Sequence, residues 1–160
     1  MEVLQGCALS AASIAAVIDL FFRRIPNWLT FAALGGGVLI NAWLWGGSGA
    51  FAALGGAALG AALLLPFYIL RVIGAGDVKL LAGLGALLGP QLLVSVAIYA
   101  AVVGGVMSAV ILLARGRLLL ALDEMLVQRR APTPSGATAP YGVAIALGVY
   151  LSLILPAVLQ

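Results

Sequence analysis

The sequence has no histidine and a single cysteine, Cys7, among its 160 residues. One thiol cannot form an internal disulfide, and a chain without histidine cannot build a zinc site from cysteine and histidine ligands. Charge is scarce as well, because charged residues make up 8% of the chain and only five of them are acidic. We therefore predict no metal site and no cofactor.

Apolar residues dominate the composition instead. They make up 64% of the chain, and its mean hydropathy of +1.23 is far above that of a soluble domain. Six spans of about 20 residues with short connections need roughly 120 to 160 residues. We predict an all-α, polytopic membrane protein with six transmembrane helices in a single domain, residues 1–160. The lipid bilayer is its first predicted partner.

Apolar runs place the six predicted helices at 3–22, 28–45, 50–70, 77–89, 91–114 and 140–158. The first lacks a basic segment before it and a small-residue cleavage site after it, so it is predicted to be a membrane helix rather than a signal peptide. The fourth gives only about 20 Å of helix and is too short to cross a bilayer unaided.

The connections between these runs carry the turn-forming residues. Pro26 disfavours helix at the residue before it, and Asn27 is predicted as the N-cap of the second helix. The segment 46–49 predicts a tight hairpin. Gly56 and Gly60 have the spacing that lets a neighbouring helix approach closely. Residues 115–139 form one polar loop.

All eight basic residues fall on one side of a six-span layout. Cytoplasmic loops are enriched in Lys and Arg, so the layout places that side in the cytoplasm and both termini outside. The net charge of +3 is then explained by the orientation of the protein in the membrane. No nucleic-acid partner is predicted.

Only two acids, Asp19 and Asp77, lie at membrane depth. An ionisable group there costs about 2.5 to 3.5 kcal/mol on insertion scales, so each is a candidate functional residue. Two carboxylates that share a site repel each other, which leaves one charged and one protonated. The charged one can take a proton from water while the neutral one polarises a carbonyl. The pair indicates aspartyl proteolysis.

Each of these residues also has a structural interpretation. Asp19 could form an ion pair with Arg23 one helical turn later. Asp77 could be the N-cap of the short helix. Lys79 lies two positions after Asp77, cannot pair with it on one helix face, and could anchor the chain at the interface. Gly74 is one of 21 glycines, so glycine near an aspartate is weak evidence alone.

Three separated segments together resemble the type IV prepilin peptidases. Gly74-Ala75-Gly76-Asp77-Val78-Lys79 resembles the family's Gly-x-Gly-Asp motif with its following Lys. Asp19 with Arg24-Ile25-Pro26-Asn27 resembles the region of the first aspartate. Pro140-Tyr141-Gly142 is similar to the Pro-Tyr-Gly segment that opens the last span. The resemblance therefore adds the following supporting positions to the pair: Gly74, Gly76, Lys79, Pro26, Asn27, Pro140, Tyr141 and Gly142.

The resemblance implies an aspartic endopeptidase with Asp19 and Asp77 as its catalytic pair. Its substrate would be a prepilin, whose short basic leader is cleaved just before the pilin's hydrophobic helix, at the cytoplasmic face of the inner membrane. Longer family members insert a domain with paired Cys-x-x-Cys motifs after the first span and also N-methylate the pilin. Here a five-residue turn replaces that domain, which favours the short Tad/Flp-type branch, an Flp-type prepilin as partner, and no methyltransferase activity.

Two alternatives stay open. An archaeal-type preflagellin peptidase would perform the same chemistry on a different leader. A non-catalytic scaffold or transporter subunit would use the aspartates structurally or to carry protons, although a transporter would more typically show inverted repeats with broken helices. The sequence also leaves open the exact substrate, which aspartate is protonated, a direct role for Lys79, and the oligomeric state, a homo-oligomer included.

Overall fold

The computed structural model describes residues 2–116 and 140–155. These residues form four helices and no strand: Glu2–Phe22 (α1), Asn27–Ile69 (α2), Ala75–Ala114 (α3) and Tyr141–Ile154 (α4). The all-α prediction is confirmed, but the predicted number of six helices is wrong for the part of the chain described. Most of the predicted polar loop and the end of the last predicted span lie outside the described residues.

The count differs because two predicted breaks lie inside helices. Gly46 in α2 has φ 62° and ψ −145°, and Gly89 in α3 has φ 76° and ψ 171°. These conformations suit glycine because it has no Cβ to clash with the backbone. Helical structure resumes directly after each one, so a single residue changes the chain direction where the sequence predicted a tight hairpin, at 46–49, or a break between two helices, at 89–90.

Close contacts with the first half of α3 fix the course of α2. In chain order, the contacting pairs are Ala33 with Gly83, Gly37 with Ala86, Gly56 with Gly85, and Gly60 with Leu81. The partner positions in α3 rise before Gly46 and fall after it, so the two limbs of α2 run in opposite directions along the same part of α3. The backbone of Gly56 and Gly60 lies directly against α3, which confirms the close approach predicted for this pair.

The second limb of α3, after Gly89, likewise folds back along the first limb. Gly85 packs against Leu93, whereas Asp77, at the start of the first limb, shares a cavity with Ala101, far along the second. The helix α4 then packs antiparallel to this second limb, since Gly148 lies against Ala100 and Gly104 lies against Tyr141. The start of α3 and the start of α4 therefore meet at one end of the molecule.

The core is apolar and so is the outer surface. Fully buried side chains include Leu80, Leu84 and Ile145, while large apolar side chains such as Trp43, 88% exposed, cover the outside. By length and composition, α1, α2 and α3 are apolar enough to cross a membrane. Contiguous apolar exposure of this kind fits a lipid environment better than water.

Candidate active site

A cavity of about 670 Å³ lies at the end of the molecule where α3 and α4 begin. The helix α1 contributes Asp19, α3 contributes Asp77, and α4 contributes Tyr141. Most of the remaining wall is apolar: Leu63, Leu64, Phe67, Val72, Ile73, Val94, Ala97, Ile98, Ala101 and Pro140. The fold thus brings the two predicted aspartates to one cavity from distant parts of the sequence.

Asp19 lies in the last turn of α1 and is only 7% exposed. Its Oδ2 accepts a hydrogen bond from the backbone N–H of Gly142 at 2.9 Å. A Cβ on Gly142 would lie 2.9 Å from the same oxygen, so glycine is the residue that lets the carboxylate approach. Arg23 is close enough to act electrostatically on Asp19, but the carboxylate's hydrogen bond is to Gly142.

Asp77 is the third residue of α3 and is 9% exposed. The N-cap of α3 is Gly74, so the alternative that Asp77 is itself the N-cap is wrong. Its Oδ2 instead accepts a hydrogen bond at 3.0 Å from the N–H of Gly74, as an acidic residue at this position does in a capping box. The carboxylate therefore ties down the start of α3 and faces the cavity at the same time.

The two carboxylates are close enough to interact electrostatically. In each, one oxygen accepts a backbone N–H, from Gly142 for Asp19 and from Gly74 for Asp77. The hydrogen bonds of the described residues leave the second oxygen of each without a protein donor. Two anchored carboxylates, each with an oxygen free to bind water, are what general acid–base catalysis needs.

Lys79 is not among the residues that line the cavity. Its Nζ donates a hydrogen bond to Asn27 Oδ1 at 2.9 Å and lies 5.6 Å from the ring centroid of Phe31. The prediction of Asn27 as an N-cap is wrong, because Pro26 is the N-cap of α2 and Asn27 is its first helical residue. The Asn27 side chain joins the starts of α2 and α3 instead.

The remaining predicted positions surround the pair. A Cβ on Gly76 would lie 3.0 Å from Ile25 Cβ, so this glycine allows α3 to pack against the turn before α2. Gly74, Pro140 and Tyr141 line the cavity directly. Gly142 contacts Asp19, whereas Lys79 and Asn27 bond to each other and do not line the cavity, and Pro26 does not line it either.

Two cavity residues were missed by the sequence reasoning. Arg23 and Arg71 both line the cavity, whereas the sequence suggested only a pairing or orienting role for them. A signal was present, since Arg23 follows Asp19 by one helical turn and Arg71 comes shortly before the Gly-x-Gly-Asp motif. The apolar wall from the second limb of α2 carried no such signal.

Comparison with known proteins agrees with the motifs. A family model described as "Type IV leader peptidase family" matches residues 7–109. Two proteins named "Prepilin leader peptidase/N-methyltransferase", from Burkholderia pseudomallei strains 1026b and K96243, are each 37% identical in an alignment 123 residues long that covers 66% of this chain. The match covers 38% of their length, so the chain spans less than half of these relatives. No solved structure matches.

Proposed function

Because the chain belongs to the type IV leader peptidase family, we propose that it is an aspartic endopeptidase that removes the leader from type IV, Flp-like prepilins. Asp19 and Asp77 are its catalytic pair. The observation that carries the proposal is their position: two acids from different helices line one cavity, each anchored by a backbone N–H.

The chemistry follows from the anchoring. One aspartate, ionised, takes a proton from a water held between the pair, and the resulting hydroxide attacks the scissile carbonyl carbon. The other, protonated, donates a hydrogen bond to the carbonyl oxygen as negative charge develops there. The first aspartate, now protonated, then gives its proton to the leaving nitrogen as the tetrahedral intermediate collapses and the C–N bond breaks. Because Gly142 and Gly74 fix one oxygen of each carboxylate, both carboxylates are oriented before the substrate arrives.

The cavity suits a peptide that is partly apolar. Leu63, Phe67 and Ile98 face it from α2 and α3. In the proposed reaction these side chains pack against the apolar part of the pilin that follows the scissile bond. Burial of such side chains contributes about 25 cal/mol per Å² of apolar area.

We further propose that the enzyme lies in the inner membrane with this cavity facing the cytoplasm, and that it does not methylate the pilin. Only residues 23–26 separate α1 from α2, so no extra domain is inserted there. The relatives whose names include an N-methyltransferase are much longer than their matched segment.

The test is cleavage of a synthetic Flp-type prepilin by the purified protein in detergent, read by mass spectrometry. Asp19→Asn and Asp77→Asn should each reduce cleavage by roughly 10²- to 10⁴-fold, because general acid–base catalysis contributes a factor of this size. Glu2→Gln removes an exposed acid at the other end of α1 and is the matched control. With a methyl donor present, the mature N-terminus should stay unmethylated.

The alternatives give different results in the same assay. A preflagellin peptidase would cleave a preflagellin peptide and leave the Flp-type peptide intact. A scaffold or transporter subunit would cleave neither. Cleavage by either Asn variant at the rate of the wild type would rule out the aspartyl mechanism.

A further inference from the structure

Two arginines on the cavity take no direct step in the proposed chemistry, although Arg23 acts electrostatically on Asp19. Arg23 follows the end of α1 and Arg71 lies just beyond α2, and both line the cavity that holds the aspartates. Both also adopt the left-handed backbone conformation, with φ 51° for Arg23 and φ 59° for Arg71. A residue with a Cβ pays an energetic cost in this conformation, whereas glycine does not.

The choice of arginine at these positions needs an explanation. Helices commonly close on a left-handed residue, and that residue is usually glycine. This chain has 21 glycines, yet it places arginine at both left-handed positions beside the cavity. Strained residues that persist tend to cluster at functional sites. Glycine would form the same two backbone turns at lower cost, so the reason for arginine at these positions lies in its side chain.

The environment of the two guanidinium groups suggests what they bind. Both arginines are exposed, and in the described part of the chain neither guanidinium forms an ion pair or donates a hydrogen bond. A guanidinium presents a planar set of donors that matches a carboxylate. Among the described residues, the acids on the cavity are Asp19 and Asp77, and neither forms an ion pair with an arginine, although Arg23 acts electrostatically on Asp19.

We propose that Arg23 and Arg71 form a carboxylate-binding subsite that holds an acidic side chain of the peptide substrate near the scissile bond. The inference rests on the proposed peptidase function. An acidic residue brought beside two aspartates would be repelled, and the two cations offset that repulsion. The occupant is a peptide rather than a lipid, since the arginines line the same cavity as the pair that acts on the peptide.

The experiment compares Flp-type peptides in which all acidic residues are replaced by Gln and a single Glu is then moved, one position at a time, along both sides of the scissile bond. At one position, Glu should lower KM of the wild type about tenfold relative to Gln, as expected for a charged hydrogen bond. Arg23→Gln and Arg71→Gln should each reduce this preference, and Arg→Lys should restore part of it. Arg24→Gln, an exposed neighbour off the cavity, should keep it.

Glycine variants separate binding from folding. Arg23→Gly and Arg71→Gly remove the left-handed strain, so their melting temperatures should equal or exceed that of the wild type while the Glu preference is lost. A purely structural role predicts the opposite, a lower melting temperature with the preference kept.

Several outcomes would overturn the subsite. The wild type could cleave Glu and Gln peptides equally well at every position, or both Gln variants could keep the full preference. The defect of the variants could instead follow the anionic phospholipid content of the micelles, which would assign the arginines to lipid phosphate. Cleavage of the all-Gln peptide by the wild type would support the peptidase function in each of these cases. If no peptide were cleaved, the peptidase function would fail, and the subsite with it.

Discussion

A glycine N–H donates a hydrogen bond to each of the two aspartates proposed as catalytic, and the two glycines have different roles. Gly74 belongs to the same short segment as Asp77, so its contact is set by the local turn that starts α3. Gly142 reaches Asp19 from the other end of the chain, and its lack of a side chain sets how closely α4 can approach α1. Gly142 is thus the position where a single methyl group acts directly on the proposed chemistry.

We expect Gly142→Ala to lower kcat/KM for peptide cleavage by roughly a hundredfold, because a misplacement of about 1 Å at a catalytic group has an effect of this size. The added Cβ would lie 2.9 Å from Asp19 Oδ2 and must push the carboxylate away from its N–H donor. Steady-state cleavage kinetics would measure the loss.

The control is Gly105→Ala, on α3. A Cβ there meets no atom within 4 Å, and alanine favours helix over glycine by roughly 0.5 to 1 kcal/mol, so activity should be kept. Equal activity of the Gly142 and Gly105 variants would show that the Gly142 contact does not position Asp19.

At the level of single residues, the sequence identifies the two acids but not the groups that contact them. Asp19 and Asp77 stand out because charge is costly at membrane depth, which is a property of each residue alone. The hydrogen bond from Gly142 to Asp19 and the convergence of Arg23 and Arg71 depend on tertiary contacts between distant segments. Nothing local in the sequence encodes such contacts.

The change of direction inside α2 and α3 is the distinctive feature of the elements. Gly46 and Gly89 have backbone angles that residues with a Cβ strongly disfavour. At both positions, a Cβ would meet no atom within 4 Å. The requirement for glycine at these two positions is therefore one of backbone conformation and not of space.

We expect Gly46→Ala to reduce the free energy of unfolding by about 1 to 3 kcal/mol, the usual cost of a residue held in a sparsely populated conformation. Gly47→Ala is the matched control: it is the next residue, is helical, is not at positive φ and is equally open. It should be neutral or slightly stabilising. Thermal unfolding in detergent measures both, and equal melting temperatures would contradict the role given to Gly46.

Helix boundaries could be predicted from the sequence where a single apolar run marked the whole helix. The first apolar run predicted a helix over 3–22, and α1 is Glu2–Phe22. The glycine-rich segment 46–49 and the pair Gly89-Pro90 predicted breaks, but such residues do not reveal whether the chain will form a loop or bend at a single residue. Both positions bend at one glycine, which is why the structure has fewer helices than predicted.

Across the whole molecule, basic residues gather at the end that holds the aspartates. Arg23 and Arg71 line the cavity, and Lys79 bonds to the start of α2 beside it. The opposite end holds a smaller cavity of about 380 Å³, lined by residues around the bends, including Gly49 and Gly89, and no charged side chain. Such a charge difference is the pattern that orients membrane proteins.

We expect a cysteine at position 24 to react with a membrane-impermeant thiol reagent only from the cytoplasm, and one at position 47 only from outside, in a Cys7→Ala background. Arg24 and Gly47 are both exposed and lie at opposite ends of the described fold. Labelling of intact cells against inverted vesicles measures this. External labelling at position 24 would contradict the proposed orientation.

The bond between Gly142 and Asp19 also has a consequence for biosynthesis. Asp19 belongs to α1, whereas its donor belongs to α4, which is synthesised later, and a second bond, Ser13 to Tyr150 at 2.9 Å, joins the same two helices. A nascent chain therefore carries Asp19 well before it contains the residue that orients it. In the proposed peptidase, proteolytic competence would arrive only when α4 docks, so unfinished chains would be inert toward its substrate.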